Sequence, residues 1–203
     1  MSFSRLILVA ANSKKYIVGE GRDKVHVSAK ISISGRDAYE GEVVLCFQLD
    51  DRTDPHKQVP RSLGMPDNNQ RCDGLVFYSQ DEKAEKVVCL VEMKSTNIAE
   101  AANQLISTKE HIEQLLRREC DSLPQNCQSE CRRQIMRITW KACIYHHGAS
   151  PDEFDRIQKK LRDRGFTDVD SLTSADHDLR PLLSGEGRSA KEMGKKYKTG
   201  KKR

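Results

Sequence analysis

The chain has 203 residues, 36% of them hydrophobic and 32% charged, which suits one soluble domain with a core of its own. No apolar run approaches the roughly 20 residues that a membrane-spanning helix needs. The formal charge of +5 is uneven: Arg188 to Arg203 holds eight Lys/Arg and one Glu, leaving the rest of the chain at about −2. Overall charge therefore does not argue for nucleic acid. The basic end, GKKYKTGKKR with Lys195 and Lys196, would either add sequence-independent attraction to phosphates or simply keep the chain in solution.

In chain order, the start MSFSRLILVAANSKK has only a short apolar stretch, Leu6 to Ala11. It lacks the basic start and longer apolar centre of a signal peptide, and reads as a first strand or short helix. Residues 24–34 alternate at strand period through Val25, Val27, Ala29, Ile31 and Ile33. A turn at Gly35-Arg36-Asp37 and a second strand over 40–49 predict a hairpin. A long loop over 50–71, rich in Asp, Pro, Gly and Asn, follows. Residues 72–79 read as a short strand and 87–95 as a strongly apolar one. Asn97 with Glu100 three residues on has capping-box spacing. It opens an amphipathic helix over 98–119, with Ile98, Ala102, Leu105, Ile112 and Leu116 on one face. Residues 120–133 break the pattern. A strand over 135–145 holds Trp140 and Tyr145 as core, with Arg137 and Lys141 on its outer face or touching phosphates. Ser150 and Pro151 begin a helix over 150–166 that Gly165 ends. One domain spans 1–183, and 184–203 read as a basic, disordered tail.

Seven cysteines, an odd number, several of them in apolar strands, fit a reducing compartment: the cytoplasm, or the nucleus of a eukaryote. Cys120, Cys127 and Cys131 cluster, but their gaps of six and three residues match no zinc pattern. Free thiols are the simpler reading, with a zinc or iron–sulfur site as the alternative. His146 and His147 suggest metal, but as strand neighbours they point to opposite faces.

The informative stretch runs from Asp73 to Gln104. In 87–94, Val87, Cys89, Val91 and Met93 form one apolar face. Val88 and Leu90 lie on the other, which ends in Glu92 and Lys94. An acid and an ammonium at the end of a doubly buried strand are costly unless paired or bound to an ion. A hairpin turn near 80–85 would bring Asp73 beside Glu92. Two carboxylates there, with the Met93 carbonyl as a third ligand, would suit Mg²⁺ or Mn²⁺. The metal would acidify a water, and Lys94 would orient it or stabilise the transition state of phosphodiester hydrolysis.

These residues resemble the PD-(D/E)xK nuclease superfamily. The family's Asp stands at the start of one strand and its ExK at the end of the next, followed by a helix and another strand. Asp73, Glu92-Met93-Lys94, the helix 98–119 and the strand 135–145 come in that order, so the likeness covers about 72–147. It implies an α/β fold, a restriction-endonuclease-like core with a mixed central sheet flanked by helices. It also implies a Mg²⁺- or Mn²⁺-dependent nuclease acting on DNA ahead of RNA, and a homodimer with one site per strand. Gln104 is similar to a helical Gln that RecB-like members use near the scissile phosphate, although their accompanying Tyr is missing. Cys72 replaces the motif's proline. The acid that the family often carries on an N-terminal helix has only Glu20, Glu40 and Glu42 as candidates. The alternative is a catalytically inactive module of this fold that binds nucleic acid or protein.

Overall fold

Val44–Phe47, Leu75–Tyr78 and Val87–Val91 are apolar at consecutive positions, as strands buried on both faces must be. They form the middle of a five-stranded sheet. The computed structural model describes residues 25–26, 31–33, 42–50, 58–63, 65, 70–80, 86–94, 97–147, 149–173 and 177–185. The strands of the sheet are β3 (Glu42–Gln48), β4 (Gly74–Gln80), β5 (Lys86–Met93), β6 (Ile138–Tyr145) and β7 (Asp168–Leu172), side by side in that order. β3 with β4 and β4 with β5 pair antiparallel; β5 with β6 and β6 with β7 pair parallel. The sheet is therefore mixed, as expected, with the change from antiparallel to parallel pairing at β5.

Parallel pairing of β5 and β6 requires a crossover. Two helices supply it: α2 (Ile98–Asp121) and α3 (Gln125–Met136). Leu105, Ile112 and Leu116 of α2 join Leu75, Phe77, Val88, Leu90, Trp140 and Ala142 in the larger core. The helix α4 (Pro151–Asp163) adds Ile157 and Leu161 to that core. The opposite face carries Val44, Cys46, Val76, Cys89 and Cys143. It is covered by Leu179, Leu182 and Leu183, in and beside the short helix α5 (Arg180–Ser184).

Several expectations need correction. Residues 24–34 are not one strand paired with 40–49. They contain β1 (Val25–His26) and β2 (Ile31–Ile33), antiparallel to each other, and β2 runs parallel to β8 (His177–Asp178) in a separate sheet. The physical reason lies in the patterns: 24–34 is apolar on one side only, whereas β3 is apolar on both and belongs to a sheet covered on both sides. The loop 50–71 contains α1 (Gln58–Ser62), which with its flank brings Val59, Leu63 and Met65 into the core. The break at 120–133 is largely α3, with Pro124 at its N-cap. Only Cys131 of α3 is buried, so the helix lacks the apolar stripe that would announce it. It also absorbs residues 135 and 136, and β6 starts at Ile138.

The Ser150 cap is as expected: its hydroxyl accepts the Glu153 N–H at 3.2 Å. Gly165 follows α4 with φ +82°. Lys141 is not on an outer face. It is buried, and its Nζ donates to the Leu182 carbonyl at 2.6 Å, because α5 covers the sheet face that the strand pattern alone would leave to solvent. The N-terminal segment, Glu20, Glu40 and the tail with Lys195 and Lys196 lie outside the described residues. Among the described residues, no helix is long and apolar enough to cross a membrane.

Candidate active site

The register of the β4–β5 hairpin builds the site. Gly74 lies opposite Val91, and one more step of an antiparallel ladder sets Asp73 level with Glu92. Two hydrogen bonds hold them there. The Asp73 N–H donates to Glu92 Oε2 at 3.1 Å, and the Met93 N–H donates to Asp73 Oδ2 at 2.6 Å. Each acid is thus gripped by the backbone of the opposite strand. An extended residue's N–H and C=O point to the same side, so the Met93 carbonyl lies on the Asp73 side as well. The Lys94 N–H goes the other way, to the Tyr145 carbonyl at 2.9 Å.

Glu92 is 1% exposed. Burial, and next the negative charge of Asp73, push its carboxyl up to about 8; Lys94 and the Asp73 N–H act the other way without prevailing, and Asp50 adds to the rise. The Lys94 Nζ stands 3.9 Å from Glu92 Oε1 and 3.6 Å from Glu100 Oε1, with the lysine side chain 27% exposed at the mouth. Lys94 is shared by Glu92 and Glu100 and does not offset the burial and the Asp73 charge that raise the Glu92 carboxyl. A divalent cation would stabilise its ionised form, and the donors present are the hard oxygens that Mg²⁺ and Mn²⁺ prefer. Among the described residues, no group of three His, Cys, Asp or Glu side chains forms a cage. Mg²⁺ commonly needs only one or two carboxylates, with water completing its shell. The residues fit the ion on these terms.

Gln104 lies one turn beyond Glu100 and one turn before Thr108 on a single ridge of α2. Glu100 reaches Lys94, and Thr108 Oγ1 accepts the Cys72 N–H at 2.9 Å. Gln104 therefore sits between the two strand ends that carry the acids. Its Oε1 is buried with no hydrogen-bond partner among the described residues. Asn97 caps the helix as its spacing implies, accepting the Glu100 N–H at 3.1 Å.

Asp50, Arg71 and Thr108 belong to this neighbourhood and were not singled out by the sequence, which picked out Glu100 only for its capping-box spacing. The Leu49 and Asp50 N–H groups both donate to the Asp73 carbonyl, at 2.8 and 3.4 Å. The β3–β4 register was the signal that could have found Asp50. Glu42, the one candidate for the extra acid with described backbone, opposes Gln80 at the far end of the sheet. It lies six residue steps along the strand from Gln48, about 20 Å at ~3.3 Å per step, so it cannot join Asp73.

The histidines point apart. His146 Nε2 meets Ser171 Oγ at 2.8 Å, while His147 Nε2 meets the Tyr145 hydroxyl at 3.1 Å. The Ala149 N–H donates to His146 Nδ1, which leaves the proton on Nε2, and burial lowers this imidazole's pKa. Cys120 and Cys131 are buried neighbours and free thiols. Burial, together with Cys120, pushes Cys131 up to about 11. A separate cavity of about 560 Å³, lined by Lys109, Glu113, Arg117 and Trp140 among others, opens near the first residues of β6 and includes none of the site residues.

No family model, no curated protein and no solved structure matches this chain. What the site can do therefore follows from its own geometry.

Proposed function

We propose that the chain is a metal-dependent nuclease that hydrolyses phosphodiester bonds of DNA or RNA at Asp73, Glu92 and Lys94, with Mg²⁺ or Mn²⁺. The carrying observation is Glu92: an acid 1% exposed, level with Asp73 and 3.9 Å from the Lys94 ammonium, at the end of an otherwise apolar strand. Stability alone does not favour that placement. The order of elements is compatible with a restriction-endonuclease-like core: an antiparallel trio, a helical crossover, then a parallel strand.

When bound, the cation supplies Lewis acidity toward a phosphoryl oxygen and makes water a better nucleophile at neutral pH. The chain does the rest. Asp73 and Glu92 hold the ion's place because the hairpin's amides fix their carboxylates. Lys94, at the mouth, offers a proton donor to the phosphate or the attacking water. The unpartnered end of the Gln104 carboxamide takes a hydrogen bond from that water or from the substrate. Lys195 and Lys196 add phosphate attraction, and a pair of subunits would address the two strands of a duplex.

The test is cleavage of linear, circular, single-stranded and branched DNA and of RNA, with and without Mg²⁺ or Mn²⁺, by wild type, Glu92→Ala and Lys94→Ala. Metal-dependent cleavage lost by several orders of magnitude in both variants is expected. Equal cleavage by all three proteins would assign the activity to a contaminant. Binding without cleavage, with a melting temperature that Mn²⁺ leaves unmoved, would favour the inactive module instead.

A further inference from the structure

Arg71 stands two residues before Asp73, just ahead of β4. Its side chain is 8% exposed. A guanidinium offers five N–H donors and keeps its charge at any ordinary pH. Among the described residues, Nε and Nη1 are buried with no hydrogen-bond partner. Nη2 stands 3.8 Å from the Asp50 carboxylate, on a side chain 38% exposed; that is an ion pair but not a hydrogen bond. A permanent charge has thus been withdrawn from water with most of its donors unmet. Native interiors seldom contain this. A buried Lys or Glu can relieve the cost by changing its protonation; Arg cannot.

The chemistry of the donors names what would satisfy them. A planar fork of N–H groups matches an oxyanion with several oxygens, and phosphate above all. The location narrows it further. Asp50, which Arg71 faces, donates its own N–H to the Asp73 carbonyl at 3.4 Å. The guanidinium therefore flanks the Asp73–Glu92 pair on its β3 side. Lys94 and Glu100 lie on the α2 side of the same pair.

We propose that Arg71 binds a phosphate of the substrate strand adjacent to the one being cleaved. The anion site stands on Arg71 itself; the identification of its occupant as part of a nucleic-acid strand rests on the nuclease reading above.

The first arm measures the melting temperature of the full-length protein without divalent cations. Inorganic phosphate is titrated at constant ionic strength, with chloride as the control. Wild type should gain several degrees. Arg71→Met should melt at or above wild type without phosphate, because a costly buried charge is gone, and should not respond to phosphate. Arg71→Gln serves the same purpose if the methionine variant does not fold. Asp73→Asn, which keeps Arg71, should respond at least as strongly as wild type, since it removes a negative charge near the anion. A wild type that phosphate does not stabilise, or an Arg71 variant that gains as much as wild type, overturns the site.

The second arm uses a labelled oligonucleotide and the metal-loaded protein. Arg71→Gln should raise KM about tenfold or more and leave kcat within a few fold. A fall in kcat at constant KM would move Arg71 to the reacting phosphate and overturn the placement. Unchanged oligonucleotide affinity beside a lost phosphate response would reassign the site to a small phosphorylated ligand, overturning the strand assignment. If wild type cleaves nothing, the nuclease reading fails while the first arm still decides the anion site.

Discussion

Glu92 shows most plainly how one residue's surroundings set measurable behaviour. Its carboxyl is held up to about 8 from an ordinary 4.5, first by burial and then by Asp73. The folded protein therefore keeps a proton that the unfolded chain releases across that window. Stability contributed by this group is full below pH 4.5 and is lost as pH rises toward 8, with a slope of up to about 1.4 kcal/mol per pH unit. Glu92→Gln should flatten that slope and be more stable than wild type at pH 8, as urea unfolding over pH 5–8 would reveal. A variant with wild-type slope would remove Glu92 as the cause. Metal and proton compete for the same oxygens, so Mn²⁺ affinity should strengthen from pH 6 to pH 8. Titration calorimetry at the two pH values measures it. Asp73, Glu92 and Lys94 were legible in the sequence because strand alternation assigns faces and a hairpin pairs ends. Asp50 and Arg71 were not. Both lie in the stretch 50–71, where no period repeats, and their closeness to Asp73 comes only from the β3–β4 register and the burial of the loop's end.

At the scale of elements, α2 links the site to the core. Its N-terminus is fixed by Asn97, and its first turn presents Glu100 to Lys94. Asn97→Ala should cost about 1 kcal/mol in unfolding free energy, and it should also loosen the Glu100 partner of Lys94. Further along, Lys109 is buried with Glu113 Oε1 at 2.6 Å and with the rings of Trp140 and Phe166 at 5.2 and 5.9 Å from its ammonium. Removing Glu113 would strand that charge. Glu113→Ala should therefore destabilise by about 2–3 kcal/mol, more than the few tenths expected of an exposed i,i+4 pair. Denaturant titration separates the two. The long helix was legible because it buries a continuous stripe. The helix α3 was hidden because it buries so little, and α1 because five residues carry no period. Lys141 was misassigned because strand alternation cannot foresee α5, which arrives 41 residues later to accept its hydrogen bond.

For the whole molecule, the mixed five-stranded sheet with helices on its faces was recoverable from the order of the strong elements. The small sheet of β1, β2 and β8 was not: β2 pairs with a segment more than 140 residues away in sequence, and no local pattern reports that. Charge belongs to this scale too. Deleting residues 186–203 removes every basic residue of the tail. The truncated protein should bind nucleic acid more weakly, and its log–log salt dependence should be shallower by about 0.9 for each phosphate the tail had neutralised. An unchanged slope would mean that the tail touches no phosphate.

On the proposed reading, the paired amide grips between Asp73 and the Glu92–Met93 segment would also tie the chemistry to strand alignment. A one-residue slip of β5 against β4 would break both grips. It would also turn Glu92 and Lys94 toward the face now occupied by Val91 and Cys89. A molecule whose hairpin is misaligned thus cannot bring Asp73 and Glu92 together. On the proposed nuclease reading, activity per molecule would then report strand alignment, through the same two hydrogen bonds.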